Sequence, residues 1–202
     1  MINPDGVDLV LNGLEPDNPV SSRLIGMNNG SSDFSRWQAN ARGVDLNHNY
    51  DADFELLREL EIKSGVTEPC ATRYGGEYPE SEPETSALAS FIRSRPGISV
   101  LTALHTQGEE IYWRYADRNN KDIIPPKSRM LAQLVARITG YKLEYPGEPI
   151  ASYGVCKDWF ISEFNKPGFT LECGKGENPL PLSDFVSIYA RLEEALISLA
   201  VN

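Results

Sequence analysis

An apolar run at 98–104 constrains the fold of this chain more than any other feature. It lies between Pro96-Gly97 and His105, and its composition is typical of a strand buried in a parallel sheet. A second run at 168–173 has the same character, and segments with helical spacing alternate with both. We therefore predict an α/β fold with a mixed, mostly parallel sheet flanked by helices.

Apolar residues at helical spacing predict the helices. One begins at Ser81, where Glu84 completes a capping box, and another ends at Gly140. The predicted helices lie at 53–63, 82–95, 127–139, 153–164 and 182–201. Short strands are predicted at 7–11, 111–115 and 141–145, and a Gly-, Asn-, Ser- and Pro-rich loop at 12–37.

A dense polar stretch at 40–51 has the residue types of a carboxylate-binding loop. Arg42 offers a planar fork of donors, Asn47 offers an amide, and His48 can carry charge near neutral pH. Gly43 suits an irregular backbone. In isolation the same stretch also fits a solvated polar turn, because turns collect these residues.

Two strand ends carry side chains suited to catalysis. His105 follows the run at 98–104, and Glu172 stands near the end of the run at 168–173. Open α/β sheets place ligand sites at the carboxyl ends of their strands. The alternatives are a hydrogen-bonded structural histidine and a partly exposed carboxylate.

Composition excludes other classes of function. Nineteen Lys and Arg against 29 Asp and Glu leave a net charge of −10, so we expect no nucleic-acid partner. No apolar run approaches the roughly 20 residues of a membrane span. Cys70, Cys156 and Cys173 form an odd set without paired spacing, which favours a reducing compartment such as the cytoplasm over a disulfide framework.

Four motifs in this order resemble the zinc carboxypeptidases, the carboxypeptidase A superfamily, over almost the whole chain. The polar loop resembles their Gly-x-Asp-x-Asn-Arg-Asn-aromatic segment, here Gly-Val-Asp-Leu-Asn-His-Asn-Tyr at 43–50. Asn-Pro-Asp-Gly at 3–6 resembles the turn after a central strand. Leu-Thr-Ala-Leu-His at 101–105 and Phe-Thr-Leu-Glu at 169–172 resemble strands ending in a zinc ligand and in the catalytic glutamate.

The resemblance implies a role for each candidate residue. His105 would ligate Zn²⁺, and Glu172 would act as general base toward a metal-bound water. Arg42 would polarise the scissile carbonyl, although Gln38 occupies the other place where members keep an arginine. Asn47 would bind the substrate carboxylate. The mobile tyrosine of the family aligns with Ile150, and Tyr153 could serve in its place.

The zinc site is incomplete in this sequence. The family binds the metal through a His-x-x-Glu pair and a later histidine, and only two histidines, with no such pair, occur here. A catalytic zinc uses three protein ligands. We therefore expect residues 1–202 to be the C-terminal portion of a single zinc-carboxypeptidase catalytic domain, inactive as given, whose localisation signal would lie upstream.

Two departures from the family pattern point to the substrate. His48 replaces the arginine that clamps a free C-terminal carboxylate, and imidazole cannot form a bidentate fork. Lys157 falls where members line the pocket for the residue after the cut, and it would favour an acidic group there. The chain thus most resembles the γ-D-glutamyl-meso-diaminopimelate peptidases, which trim cell-wall peptides. Glu109 or Glu110 could meet the ammonium of that residue, or form a solvated turn.

The leading hypothesis is a zinc-dependent hydrolase of cell-wall peptides. A conventional carboxypeptidase and an inactive peptide-binding remnant are the alternatives. The sequence does not determine the oligomeric state.

Overall fold

The computed structural model describes residues 1–15, 19–144 and 153–201. The chain divides into two compact units. The first comprises Met1–Arg95 and Pro149–Cys156, and the second comprises Pro96–Glu148 and Lys157–Asn202. No helix in the described ranges is long and apolar enough to cross a membrane.

The described part of the first unit is helical. Its helices are α1 (Pro4–Asn12), α2 (Ser21–Met27), α3 (Phe54–Lys63) and α4 (Pro83–Arg93), with a short 3₁₀ turn at Leu46–His48. One of its apolar clusters contains Leu9, Leu24, Phe34, Trp37 and Ala39. Helix α3 confirms the prediction for 53–63, whereas α2 lies inside the segment predicted as loop.

The predicted strand at 7–11 is wrong, because these residues belong to α1. The side-chain oxygen of Asn3 accepts a hydrogen bond from the Gly6 backbone N–H at 2.9 Å, and Pro4 follows in the first turn. Asparagine at the N-cap followed by proline is a helix start. The Asn3 amide also donates to the carbonyls of Gln38 and Ala39.

The predicted capping box at Ser81 is also wrong. Helix α4 begins at Pro83 with Glu82 as its N-cap, and the Glu82 side chain makes no capping bond in the described structure. The Ser81 hydroxyl instead donates to Glu82 Oε1 at 3.0 Å. The buried face of α4 includes Ile92, while the neighbouring Phe91 is 53% exposed.

The second unit contains a four-stranded mixed sheet in the order β1-β6-β2-β5. The strands are β1 (Leu101–His105), β2 (Glu110–Tyr112), β5 (Lys142–Glu144) and β6 (Gly168–Glu172), while β3 (Tyr115–Ala116) and β4 (Asp122–Ile123) form a separate ribbon. The β1–β6 and β2–β5 pairs are parallel and the β2–β6 pair is antiparallel. The predicted α/β fold with a mostly parallel sheet is confirmed.

Helices cover both faces of this sheet. Phe169 and Leu171 of β6 pack into a core with residues of α5 (Ser128–Thr139) and α7 (Phe185–Val201). Alternate residues face the other side. There a Cβ added at Gly168 would lie 3.0 Å from the Lys157 carbonyl oxygen of α6 (Cys156–Phe164), so that helix approaches the opposite face closely.

The two apolar runs differ in burial. Strand β6 has a neighbour on each side, and its residues from Gly168 to Leu171 are buried. Strand β1 stands at the edge of the described sheet, and Leu104 is 52% exposed. The prediction of a buried parallel strand is thus confirmed for β6, whereas β1 is parallel but only half buried.

Candidate active site

His105 and Glu172 are neighbours in the second unit. They are register partners at the last residues of the parallel strands β1 and β6. Side chains of register partners leave the same face of a sheet. The structure therefore brings together the predicted metal ligand and the predicted general base at the carboxyl edge of the two strands.

The Glu172 carboxyl has an unusual acidity. Burial, followed by the negative charge of Glu110, raises its pKa from 4.5 to about 7. Glu110 lies directly opposite Glu172 on β2. A carboxyl with this pKa holds and releases a proton near neutral pH, as a general base requires.

The sequence left open whether Glu109 or Glu110 contributes to the site. Glu109 forms ion pairs with Lys175 at 3.1 Å and with Arg191 of α7 at 2.8 Å. Glu110 lies beside Glu172 instead. Of the two, only Glu110 shares the sheet face of the catalytic candidates.

In the first unit, Asn40 shapes the start of the polar loop. Its side-chain oxygen accepts hydrogen bonds from the backbone N–H groups of Arg42 at 2.9 Å and Val44 at 3.1 Å. Its amide donates to Glu82 Oε2 at 2.8 Å. The Arg42 side chain itself is 62% exposed and lies 3.8 Å from Glu82, so it is held only loosely.

Asn49 anchors the end of the loop and is fully buried. Its amide donates to the Gly75 carbonyl at 2.6 Å and to the Ser81 hydroxyl at 2.9 Å, and its oxygen accepts from the Glu82 N–H at 3.2 Å. The loop is therefore not a solvated turn. The side chains of Asn40 and Asn49 hold the loop in shape. Asn47 is half-buried, and its backbone N–H donates to Asp45 Oδ1 at 3.3 Å.

His48 is buried, and its ring is oriented by the backbone. Nδ1 lies 3.0 Å from the carbonyl oxygen of Tyr153. A carbonyl oxygen only accepts, so Nδ1 carries the proton and Nε2 remains for another partner. Two of the predicted substrate-binding residues thus lie together. Ile150, the position that aligns with the mobile tyrosine of the family, lies outside the described residues.

Glu61 is a buried carboxyl, close to the polar loop in sequence, that the sequence analysis missed. It is fully buried on α3, accepts from the Gly75 N–H at 2.6 Å and pairs with Arg58 at 2.7 Å. Burial raises its pKa, and the Gly75 bond and the charges of Arg58 and His48 oppose this effect. Its spacing from Phe54 and Leu57, the other buried residues of α3, was the signal that could have revealed it.

Lys157 is buried rather than open to a ligand. Its ammonium donates to the Arg114 carbonyl oxygen at 2.7 Å and forms a short ion pair with Asp158. Two of its three N–H donors are thus used inside the unit. A role in binding a substrate carboxylate stays a prediction, and it would require Lys157 to use its third donor or to exchange a partner.

The side chains present do not complete a metal site. Among the described residues, no three His, Cys, Asp or Glu side chains form a group that could hold a metal ion. Cys173 lies next to Glu172, but burial raises the pKa of its thiol to about 11, so it is a neutral thiol at physiological pH. His105 is one ligand of the type that zinc uses, and a catalytic zinc needs three.

The sequence profile of the family described as "Zinc carboxypeptidase" matches residues 1–191. This chain belongs to the zinc carboxypeptidase family. Among family members, it is 42% identical over 196 residues to a Lysinibacillus sphaericus protein named gamma-D-glutamyl-L-diamino acid endopeptidase 1. That alignment covers 97% of this chain and 46% of the relative.

Solved zinc carboxypeptidase structures share the fold. Carboxypeptidase A from Helicoverpa armigera superposes with a TM-score of 0.55 at 17% identity, covering 96% of this chain and 46% of the other. Murein-tripeptide amidase from Escherichia coli O157 superposes with a TM-score of 0.50 at 24% identity, covering 78% of this chain and 60% of the other. The chain spans about half the length of curated relatives that it matches, 46% of one and 47% of another.

Proposed function

We propose that this chain is the C-terminal portion of a zinc-carboxypeptidase catalytic domain that hydrolyses an amide bond in bacterial cell-wall peptides. The bond is the one between a γ-D-glutamyl group and a diamino acid. The pairing of His105 with Glu172, whose pKa is about 7, is the observation that carries this proposal. The name of the L. sphaericus relative at 42% identity supports the substrate class.

Glu172 acts as the proton carrier in this proposal. Its carboxylate takes a proton from water as the water oxygen attacks the amide carbon. The tetrahedral intermediate collapses, the C–N bond breaks, and Glu172 returns the proton to the departing nitrogen. A pKa of about 7 serves both steps, because neither protonation state is strongly favoured at neutral pH.

The polar loop binds the substrate in this proposal. The exposed guanidinium of Arg42 donates to the oxyanion of the intermediate. The Asn47 amide and His48 Nε2 bind a substrate carboxylate, and Tyr153 covers the bound peptide. Because Nδ1 donates to the Tyr153 carbonyl, His48 offers the carboxylate a single N–H, and only when it is protonated. Arginine would bind the carboxylate of a plain C-terminus through two N–H donors. The single N–H of His48 therefore favours a different kind of substrate.

His105 would be one of the ligands of the zinc ion. The described residues hold no group that could bind the metal by themselves. That observation also favours a second candidate function, in which the chain binds cell-wall peptides without hydrolysing them. A conventional C-terminal carboxypeptidase is the alternative within the same family.

A chimera tests the proposal. This chain replaces the matched segment of the L. sphaericus relative, and release of the diamino acid from L-Ala-γ-D-Glu-meso-diaminopimelate is followed by mass spectrometry. We expect cleavage by the chimera, strong loss in Glu172→Gln and little change in Glu109→Gln. A folded chimera that binds the tripeptide without cleaving it would support the binding remnant. Faster release from ordinary peptides would support the carboxypeptidase.

A further inference from the structure

Two acidic side chains face each other in the second unit, and neither forms an ion pair with a Lys or Arg side chain of the described residues. Glu110 and Glu172 are register partners on antiparallel strands, and the Glu110 charge raises the pKa of Glu172. Lys142, the partner of Glu110 on β5, is exposed. Within the described residues it forms no ion pair with Glu110, and the Lys157 ammonium is bound to the Arg114 carbonyl and to Asp158.

A buried hydroxyl beside this pair also lacks a partner. Thr170 precedes Glu172 by two residues on β6 and shares its face of the sheet. Thr170 is 6% exposed, and its Oγ1 makes no hydrogen bond to any described residue. Its register partner on β2 is Tyr112, whose hydroxyl donates to Glu110 Oε2 at 3.1 Å. The unpartnered hydroxyl therefore lies on the same face of the sheet as the Glu110 side chain, one register pair away.

These groups match an organic cation better than a metal ion. His105, Glu110 and Glu172 do not form a group that could hold a metal. A primary ammonium needs one carboxylate and neutral oxygen acceptors around it. Glu110 supplies the carboxylate, and Thr170 supplies an acceptor that the fold leaves unused.

We infer that Glu110 binds the side-chain ammonium of the substrate's diamino acid and that Thr170 accepts a second hydrogen bond from it. The inference rests on the proposed function, since the diamino acid leaves with the nitrogen that Glu172 protonates. It assigns Glu110 a role in specificity.

Two matched peptides test the inference on the 202-residue chain. L-Ala-γ-D-Glu-L-Lys carries the side-chain ammonium, and L-Ala-γ-D-Glu-L-norleucine lacks it. Their dissociation constants are measured by titration calorimetry for the unchanged chain and for Glu110→Gln. We expect the lysine peptide to bind about tenfold tighter or more, the range of a charge-assisted hydrogen bond. Glu110→Gln should bring the two constants to within about twofold.

Two further variants serve as controls. Glu109→Gln changes the neighbouring acidic residue, whose side chain forms ion pairs with Lys175 and Arg191 rather than lying beside Glu110. The preference for the lysine peptide should therefore persist. Thr170→Val keeps the side-chain shape and removes only the unpartnered hydroxyl. It should fold and lose part of the preference, which keeps the test valid if Glu110→Gln does not fold.

The outcomes separate the two proposals. If neither peptide binds, this inference is overturned, whereas the proposed function is judged by cleavage in the chimera. If both bind equally to the unchanged chain, the assignment of Glu110 is overturned while cell-wall peptide binding stands. A preference that is undiminished in Glu110→Gln, or in Thr170→Val where the first variant is unfolded, overturns it as well.

Discussion

The His48 ring is held by the carbonyl of a residue 105 positions later in the chain, with Nδ1 3.0 Å from the Tyr153 oxygen. The bond selects one tautomer and directs Nε2 away from Tyr153. A ligand at Nε2 therefore meets an acceptor when the ring is neutral and a donor when it is protonated. A substrate carboxylate, which only accepts, would therefore bind Nε2 of the protonated ring.

His48→Arg should shift substrate preference. Arginine offers two parallel N–H donors to a carboxylate, where imidazole offers one. In the chimera with the L. sphaericus relative, we expect kcat/KM on plain C-terminal residues to rise about tenfold relative to the diaminopimelate peptide. An unchanged ratio in a folded variant would show that His48 does not contact the substrate carboxylate.

Glu172→Gln should change how stability depends on pH. The pKa of Glu172 is about 7 in the folded chain against 4.5 for the ordinary carboxyl, so folding favours the protonated form. Its contribution is fully present below about pH 4.5 and is lost as pH rises through 7. Urea unfolding at pH 5 and pH 8 should show a smaller decline for Glu172→Gln than for the unchanged chain. Equal declines would contradict the raised pKa.

Zinc should not remain bound to the 202-residue chain. His105 is a single ligand, and the described residues form no group of three. Catalytic affinity needs about three protein ligands. Metal analysis after dialysis should find far less than one zinc per chain. Near one equivalent, lost in His105→Ala, would defeat this prediction.

Glu61→Ala should destabilise the first unit by about 2 to 4 kcal/mol, because it removes a buried acceptor and half of an ion pair. The Gly75 N–H and Arg58 would lose their partner. Glu61→Gln keeps an acceptor for Gly75 and should cost less. Denaturant melts compare the three proteins, and equal midpoints would show that the pair contributes nothing.

Much of the fold follows from local patterns. The apolar run of β6, the spacing of α3 and the glycine after α5 each predict an element that the structure contains. Local patterns were insufficient where two explanations compete for the same residues. Asn3-Pro4 suits a turn after a strand as well as a helix start, and only the bond from Gly6 to Asn3 distinguishes them.

The candidate site was predictable only in part. His105 and Glu172 were identified because each closes an apolar strand and stands where the family motifs place a zinc ligand and a catalytic glutamate. Parallel pairing makes such strand ends meet. The hydrogen-bond partners of Lys157 could not be predicted. The Arg114 carbonyl is 43 residues away, and every residue has a backbone carbonyl, so no residue type indicates which one will accept the bond. The structural roles of Asn40 and Asn49 depend likewise on contacts with Glu82, which no spacing rule relates to them.

Leu104→Lys should reduce aggregation of the isolated chain without unfolding it. Leu104 is 52% exposed on β1, at the edge of the described sheet. Exposed apolar edge strands pair with other chains, and lysine at an edge opposes this. Light scattering at matched concentrations measures the effect. Ala103→Lys, on the opposite face of the same strand, serves as the comparison.

The anchoring of Asn49 to Gly75, Ser81 and Glu82 has a consequence for affinity. The loop that carries Arg42, Asn47 and His48 takes its shape when the chain folds, so a ligand finds most of its backbone already ordered. Such preorganisation lowers the entropy cost of binding. Substitutions beneath the loop, at residues that never touch a peptide, should therefore weaken binding by loosening the loop in the free protein.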